Sequence, residues 1–254
     1  MPKYDLSFTP PLMNAAGSLG FAPDTRGPVD LARLGAFVTN PISLRGRSPA
    51  RDRRVLEYPG GFLLHSGAPN PGLSQAIRRH AAHWARSPVP VLAHLLAEDP
   101  NELAEMVKRL EAVEGVSGIE LGLPPGCETG AMLELLAAAA GELPVIARLP
   151  LERAAELGQA LAAQPDPPVA AISLGAPRGA LQAPGGEIVS GRLYGPGVFP
   201  LVLQTVRLLT QAGLPVIGAG GVYRSEQAEA MLSAGALAVQ LDAVLWRPIA
   251  QARL

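Results

Sequence analysis

Three side chains in this sequence are candidates to carry a proton during catalysis. Cys127 is the single cysteine, and a thiol near a cation such as Arg148 has a lowered pKa and could act as a base. His65 and His94 titrate near neutral pH, so either could serve as a general acid or base. For each of the three, an ordinary structural role is the alternative. The spacing of the four histidines shows no metal-site signature.

Two segments, which form the last two predicted strands and their ends, could bind a phosphate group. They cover residues 214–222 and 236–243, and the first contains the pair Gly220 and Gly221. Glycine lets backbone N–H groups approach an anion, and the N-terminus of a following helix adds partial positive charge. The alternative is that the two glycines only form a tight turn. Asp242 opposes a phosphate at this place, because its carboxylate and the phosphate are both negative and repel each other. The repulsion is weaker if the Asp242 carboxylate turns away or pairs with a basic side chain.

The elements that would position these residues alternate along the chain. Short apolar runs, typical of buried parallel strands, are followed by longer segments with helical spacing. The eight runs are 11–15, 36–40, 89–95, 118–123, 144–149, 169–174, 214–218 and 236–241. The helical segments are 73–87, 101–113, 129–140, 151–163, 199–212 and 225–234. This alternation predicts an α/β fold, a (β/α)8 TIM barrel, with an open doubly wound sheet as the alternative.

Two connections, 41–72 and 175–197, are too long to be simple joints. They follow the second and sixth strands, at the strand ends where barrels carry their active sites. We therefore expect both insertions to cover a pocket there. Because no linker divides the chain, we expect residues 1–254 to form a single barrel domain.

Composition and charge exclude several classes of protein. With 48% hydrophobic residues, the 254-residue chain is too apolar to be disordered. A net charge of −1 indicates neither a nucleic-acid partner nor an anionic membrane surface. No apolar run approaches the roughly 20 residues of a membrane span. With one cysteine and no signal-peptide pattern at its start, we expect a cytoplasmic protein that acts on a small-molecule substrate.

The order of several motifs resembles the class 1 dihydroorotate dehydrogenases, over about residues 4–248. The motifs are PLMNAAGSLGF from Pro11, GAFVTNPIS from Gly35, EYPGG from Glu57, GAPNPG from Gly67, GIEL from Gly118, Gly195-Pro196 with Pro200, and IGAGGV from Ile217. Each motif alone is weak, but their joint order and spacing are specific. The resemblance implies an FMN-dependent barrel that oxidises dihydroorotate to orotate in pyrimidine biosynthesis. It also implies a homodimer.

The resemblance assigns flavin and substrate contacts to particular residues. The implied flavin contacts are Ala15, Ala16, Gly17, Asn40, Arg148, Gly195, Gly220, Gly221, Asp242 and Ala243. The implied substrate contacts are Asn70 and Ser173.

Departures from the family pattern concentrate where the chemistry takes place. Where the family has two lysines, this chain has Asn40 and Arg148, and where the family has three asparagines, it has Leu64, Gly122 and Ser173. The position of the family's catalytic cysteine is occupied by Pro125, and that of the Gly-Thr pair that completes the phosphate site is occupied by Asp242-Ala243. Proline has no titratable group, so Pro125 cannot take the proton that leaves carbon as hydride moves to the flavin. Cys127, two positions further on, and His65 are therefore the candidate catalytic residues.

Two functions remain open from the sequence. The first is an FMN-dependent oxidoreductase that acts on a CH–CH bond of a small substrate and turns over dihydroorotate poorly or not at all. The second is a paralogue that has lost FMN and serves as a ligand-binding or partner protein, or as a non-redox enzyme. The changes at Asn40 and at Asp242-Ala243 favour the second, since both remove parts of the implied flavin site.

Overall fold

The computed structural model describes residues 6–27, 29–52 and 54–246, and the strands within them form two sheets. In chain order the strands are β1 (Leu12–Asn14), β2 (Phe37–Val38), β3 (Arg54–Tyr58), β4 (Gly61–His65), β5 (Val91–Leu95), β6 (Val116–Gly122), β7 (Val145–Leu149), β8 (Ala171–Leu174), β9 (Arg178–Gln182), β10 (Ile188–Tyr194), β11 (Val216–Ala219) and β12 (Ala238–Leu241). The helices are α1 (Leu73–Trp84), α2 (Pro100–Glu111), α3 (Thr129–Ala139), α4 (Ala154–Ala162), α5 (Phe199–Gln211) and α6 (Ser225–Ser233).

The larger sheet is a parallel barrel. Its order is β1-β12-β11-β8-β7-β6-β5-β2, and every neighbouring pair runs parallel. The two end strands meet through a parallel bridge between Met13 and Ala36. The Asn14 side chain completes this seam, because its Oδ1 accepts the Val38 N–H at 2.9 Å and its Nδ2 donates to the Val38 carbonyl at 2.7 Å. The predicted (β/α)8 barrel is confirmed, and each barrel strand falls on a predicted apolar run.

Side chains alternate between the surrounding helices and the barrel interior along each strand. Ile119 and Leu121 of β6 pack in the core shared with the helices, whereas Leu92 of β5 and Ile146 of β7 belong to a separate apolar cluster inside the barrel. Towards the carboxyl ends of the strands the inward side chains become polar, beginning with Glu120, which is fully buried. The polar end of the interior is thus the end that carries active sites in this fold.

The helices lie close to the predicted helical segments. The segment predicted at 151–163 begins with a 3-10 turn, Leu151–Arg153, before α4. The other five differ from the prediction only at their ends. In the part of the chain that the structure describes, no helix has both the length and the apolar character to cross a membrane.

Asp99 caps the N-terminus of α2. Its carboxylate accepts the N–H groups of Asn101 at 2.8 Å and Glu102 at 2.9 Å. Asp99→Ala removes the side-chain partner of both donors, so we expect a loss of about 1 kcal/mol in the free energy of unfolding, measured by urea titration. The control is Asp166→Ala, at an exposed loop position, which should stay within about 0.5 kcal/mol of wild type. Equal losses in both variants would contradict the capping role.

The two long connections form the second sheet. Connection 41–72 supplies the hairpin of β3 and β4, and connection 175–197 supplies the hairpin of β9 and β10. Antiparallel pairing of β4 with β10 joins them in the order β3-β4-β10-β9. Gly195 follows β10 with φ 131°, and a Cβ there would lie 2.3 Å from the Gly60 carbonyl oxygen. Only glycine allows this close approach of the two hairpins.

Candidate functional site

Glu120 lies at the centre of a polar layer inside the barrel. Its Oε2 is 2.6 Å from His94 Nδ1 and 3.3 Å from a guanidinium nitrogen of Arg148. Its Oε1 accepts hydrogen bonds from Ser173 Oγ at 2.7 Å and from Gln240 Nε2 at 2.6 Å. These side chains come from five different strands, so closure of the barrel brings together residues that are far apart in the chain.

This network keeps Glu120 ionised. Burial by itself raises the pKa of the Glu120 carboxyl, but Arg148 and the hydrogen bonds from His94 and Ser173 lower it more, to well below the ordinary value of 4.5. Burial lowers the pKa of His94, and this outweighs the opposite effect of Glu120. At neutral pH a carboxylate therefore faces a neutral imidazole. Because the carboxylate can only accept, the imidazole hydrogen is on Nδ1.

A cavity of about 500 Å³ lies between the carboxyl ends of the barrel strands and the antiparallel sheet. Leu64 and Arg192 line it from the sheet, and Gly122 lines it from the end of β6. A smaller cavity of about 50 Å³ adjoins it at Gly122 and Arg192 and reaches His94 and Arg148 inside the barrel mouth. The expectation that the two insertions cover a pocket is confirmed.

Two arginines face the same space from the antiparallel sheet. Arg178 on β9 and Arg192 on β10 are directly opposite each other in the ladder, and both line the two cavities. Neither guanidinium forms an ion pair with another described residue. Glu152, which also lines the smaller cavity, accepts the backbone N–H of Arg178. Like charges in opposite cross-strand positions repel, so an anion between them would remove an unfavourable interaction.

Four other charged residues also line the larger cavity. They are Arg45, Arg47, Glu98 and Glu102.

The structure separates Cys127 from these cavities. The thiol is buried in the core just before α3, with Sγ 3.6 Å from the Glu128 carbonyl oxygen, and it lines neither cavity. Burial raises the pKa of Cys127, and the cation that opposes this rise is Arg153, not Arg148. The expected lowering of the thiol pKa by Arg148 is therefore wrong, because the loop after β6 turns Cys127 into the hydrophobic core.

His65 lies at the larger cavity, whereas Asn70 does not. His65 is at the end of β4, lines the cavity, and has its Nδ1 3.0 Å from the Ser190 carbonyl oxygen. The Asn70 amide is occupied by the connection itself, since its Oδ1 accepts the N–H groups of Ser43 and Gly72 and its Nδ2 donates to Ser43 Oγ. Asn70 thus holds the start of α1 and offers no free amide to a ligand.

Two further residues of the implied site are used internally. Ser173 donates to Glu120, and Asn40 Oδ1 accepts the Gly20 N–H at 3.1 Å. Neither lines the larger or the smaller cavity.

None of the small residues implied as flavin contacts lines either cavity. They are Ala15, Ala16, Gly17, Gly195, Gly220 and Gly221. Gly221 has φ 72°, and a Cβ there would lie 2.6 Å from the Phe199 backbone nitrogen. The contact with the start of α5 therefore requires glycine at this position, whether or not a ligand binds there.

The Asp242 carboxylate lies near the end of segment 236–243 and reaches the backbone of segment 214–222. Its Oδ1 accepts the Ala243 N–H at 2.6 Å, and the carboxylate also accepts the Gly221 N–H. Burial raises the pKa of Asp242 to about 6, although these hydrogen bonds and Arg148 act in the opposite direction. At pH 7.5 the Asp242 carboxyl is therefore mainly ionised, and it accepts the N–H groups of Gly221 and Ala243.

Trp246 joins the loop after β1 to the antiparallel sheet. Its indole lies 6.0 Å from the Phe62 ring and 5.5 Å from the Tyr194 ring, measured between centroids. Its Nε1 donates to the Ser18 carbonyl at 3.1 Å. The indole thus lies between the barrel loop and the sheet, four residues after Asp242 in the chain.

Sequence reasoning misses Arg178, Arg192 and Gln240 as parts of the site. A glutamine inside the apolar run 236–241 is a signal that could have identified Gln240 as an inward polar residue. Two arginines in a long connection indicate only a charged surface. Their position opposite each other depends on the register of the β9–β10 hairpin, which the residue types do not reveal.

Comparisons with known proteins agree with this fold. A family model described as dihydroorotate dehydrogenase matches residues 3–128. The catalytic subunit of dihydroorotate dehydrogenase B (NAD(+)) from Trichlorobacter lovleyi is 30% identical, over 91% of this chain and 82% of that protein. The same subunit from Desulforudis audaxviator is 30% identical, over 92% and 82%. A DHODH from Eimeria tenella, solved in complex with ferulenol, has a TM-score of 0.73 at 12% identity, over 100% of this chain and 82% of that one.

Proposed function

Because the chain belongs to the dihydroorotate dehydrogenase family of oxidoreductases, we propose that it uses the family's barrel to bind a small carboxylate anion at the barrel mouth, without FMN in the family's phosphate site. This is the second of the two functions that the sequence leaves open. The observation that carries it is the position of Arg178 and Arg192, directly opposite each other on the cavity wall. Arginine recognises carboxylates with its planar fork of N–H donors.

The residues at the implied phosphate site do not fit FMN. The Asp242 carboxylate accepts the Gly221 and Ala243 N–H groups, which are the donors that a phosphate would need. A phosphate dianion beside a mainly ionised carboxylate is strongly disfavoured.

The cavity wall also supports the expectation that dihydroorotate is a poor substrate. Leu64, Gly122 and Pro125 all line the larger cavity, and none offers a side-chain hydrogen bond or a titratable group. In the family, polar side chains stand at these positions. A ligand of this chain would instead meet the guanidinium groups of Arg178 and Arg192.

Oxalate is a suitable probe of the proposed anion site, because it is small, carries two carboxylates and cannot react at carbon. We expect Arg192→Gln to weaken oxalate binding by roughly 10-fold to 100-fold in isothermal titration calorimetry, the cost of losing a charged hydrogen bond. The control is Arg86→Gln, an exposed arginine that lines neither cavity, which should leave the affinity unchanged. If oxalate does not bind wild type, or binds both variants equally, the proposed function is wrong.

A further inference from the structure

The His94 imidazole is oriented by the barrel. His94 lies on β5 with its Nδ1 2.6 Å from Glu120 Oε2, and both side chains are buried. Glu120 is itself held by Ser173 and Gln240, so the carboxylate has a fixed position. Since the ionised carboxylate accepts a hydrogen bond from the Nδ1–H group, the imidazole presents its unprotonated Nε2 on the opposite edge of the ring.

Gly122 leaves the space that this edge of the imidazole needs. A Cβ on residue 122 would lie 2.8 Å from His94 Nε2 and 3.0 Å from His94 Cε1. His94 lines the smaller cavity, and Gly122, whose Cβ position is next to Nε2, lines both cavities. The family's pattern has an asparagine at this position. The same change that removes a polar contact therefore gives the histidine access to the cavity.

The charged groups around His94 keep it available as a base. Glu120 faces it from β6, Arg148 from β7 and Arg192 from β10. Burial lowers the pKa of His94, the two arginines lower it further, and Glu120 opposes them. The imidazole is therefore neutral at pH 7, as a general base must be.

We propose that His94 is the general base of this site, that Glu120 is its positioning residue, and that the ligand is a carboxylate with a C–H group next to a carbonyl, such as a 2-oxo acid. This deepens the proposed function and rests on it, since Arg178 and Arg192 hold the carboxylate. Nε2 takes the proton from carbon, and the C–H electron pair forms the C=C bond of an enolate. The negative charge moves to the carbonyl oxygen beside the Arg148 guanidinium. Return of a proton from Nε2 to carbon completes the exchange, with no co-reactant.

Pyruvate in D2O is the test, because its methyl group is next to a carbonyl and its enolate has the shape of oxalate. Loss of the methyl signal is followed by proton NMR in the presence of the full chain. We expect His94→Gln to reduce the catalysed exchange by about 100-fold or more, the contribution of a general base. Oxalate affinity should stay within about threefold, because the anion-binding arginines are intact.

Glycine variants provide a matched pair. Gly122→Ala places a methyl group against Nε2 and should slow exchange by roughly 10-fold, as expected when access to a base is narrowed. Gly126→Ala lies in the same loop region, has no atom within 4 Å of the new Cβ, and should exchange like wild type.

Glu120→Gln should move the acid limb of the pH profile of pyruvate exchange to lower pH, because Glu120 raises the pKa of His94.

The outcomes separate this inference from the function on which it rests. If oxalate does not bind wild type, the proposed function fails and the inference fails with it. If oxalate binds but pyruvate exchanges no faster than in buffer, or equally fast with His94→Gln, the assignment of His94 as base is wrong while the anion site stands. A 100-fold loss in His94→Gln with unchanged oxalate affinity supports both.

Discussion

Glu120→Ala is expected to lower the free energy of unfolding by about 3–5 kcal/mol, the usual cost of removing one partner of a buried ion pair. Glu120 is fully buried, and its two oxygens are the shared partner of His94, Arg148, Ser173 and Gln240. Its removal leaves the Arg148 guanidinium with little solvent and without its ion-pair partner. Urea titration followed by circular dichroism measures the change.

A surface glutamate provides the control for this substitution. Glu105 forms an ion pair with Arg109 at 3.4 Å, one helical turn apart on α2, and its side chain is 57% exposed. Glu105→Ala should cost less than about 0.5 kcal/mol, because an exposed pair is screened by solvent. Similar losses in Glu105→Ala and Glu120→Ala would show that the buried network contributes nothing beyond an ordinary ion pair.

The contribution of Glu120 also depends on pH in a defined direction. Its pKa in the folded protein lies below the ordinary value of 4.5, so the unfolded state binds the proton more readily. The stability that Glu120 contributes is therefore fully present above about pH 5 and decreases as the pH falls below 4.5. The difference between wild type and Glu120→Gln should shrink over that range. A difference that grows on acidification would contradict the ionised state of Glu120.

The second large effect is expected from restoring the family's Gly-Thr pair. Wild type should purify without flavin absorbance and bind added FMN weakly at pH 7.5. The double variant Asp242→Gly with Ala243→Thr should bind FMN about 100-fold more tightly, a gain of ~2.7 kcal/mol. The gain arises because the substitution removes a mainly ionised carboxylate and frees the Gly221 N–H for the phosphate. Quenching of FMN fluorescence measures the affinity.

Asp242→Asn separates the two causes of this gain. The asparagine removes the negative charge but keeps a side-chain oxygen that can accept the Ala243 and Gly221 N–H groups. We therefore expect an affinity between those of wild type and the double variant. If wild type already carries FMN through gel filtration, the carboxylate is compatible with the phosphate, and the first of the two functions, an FMN-dependent oxidoreductase, applies instead.

The barrel could be predicted from the sequence because its signals are local. A strand buried on both faces is an apolar run wherever it occurs, and a helix on the outside repeats its apolar positions every three or four residues. All eight barrel strands and all six α-helices described by the structure fall on such segments. The insertions 41–72 and 175–197 were also recognisable, because their length exceeds that of ordinary connections.

Only the tertiary structure decided which side chains meet. Cys127 and Arg148 looked like partners, yet the turn after β6 directs the thiol into the core, and Arg148 bonds to Glu120 instead. His94 and Glu120 carry no mark in the sequence that pairs them. Their contact follows from the register of β5 and β6, and the cross-strand position of Arg178 and Arg192 follows from the register of a hairpin. Register and closure depend on contacts between residues far apart in the chain, so the residue types determine the elements while the folded barrel determines the site.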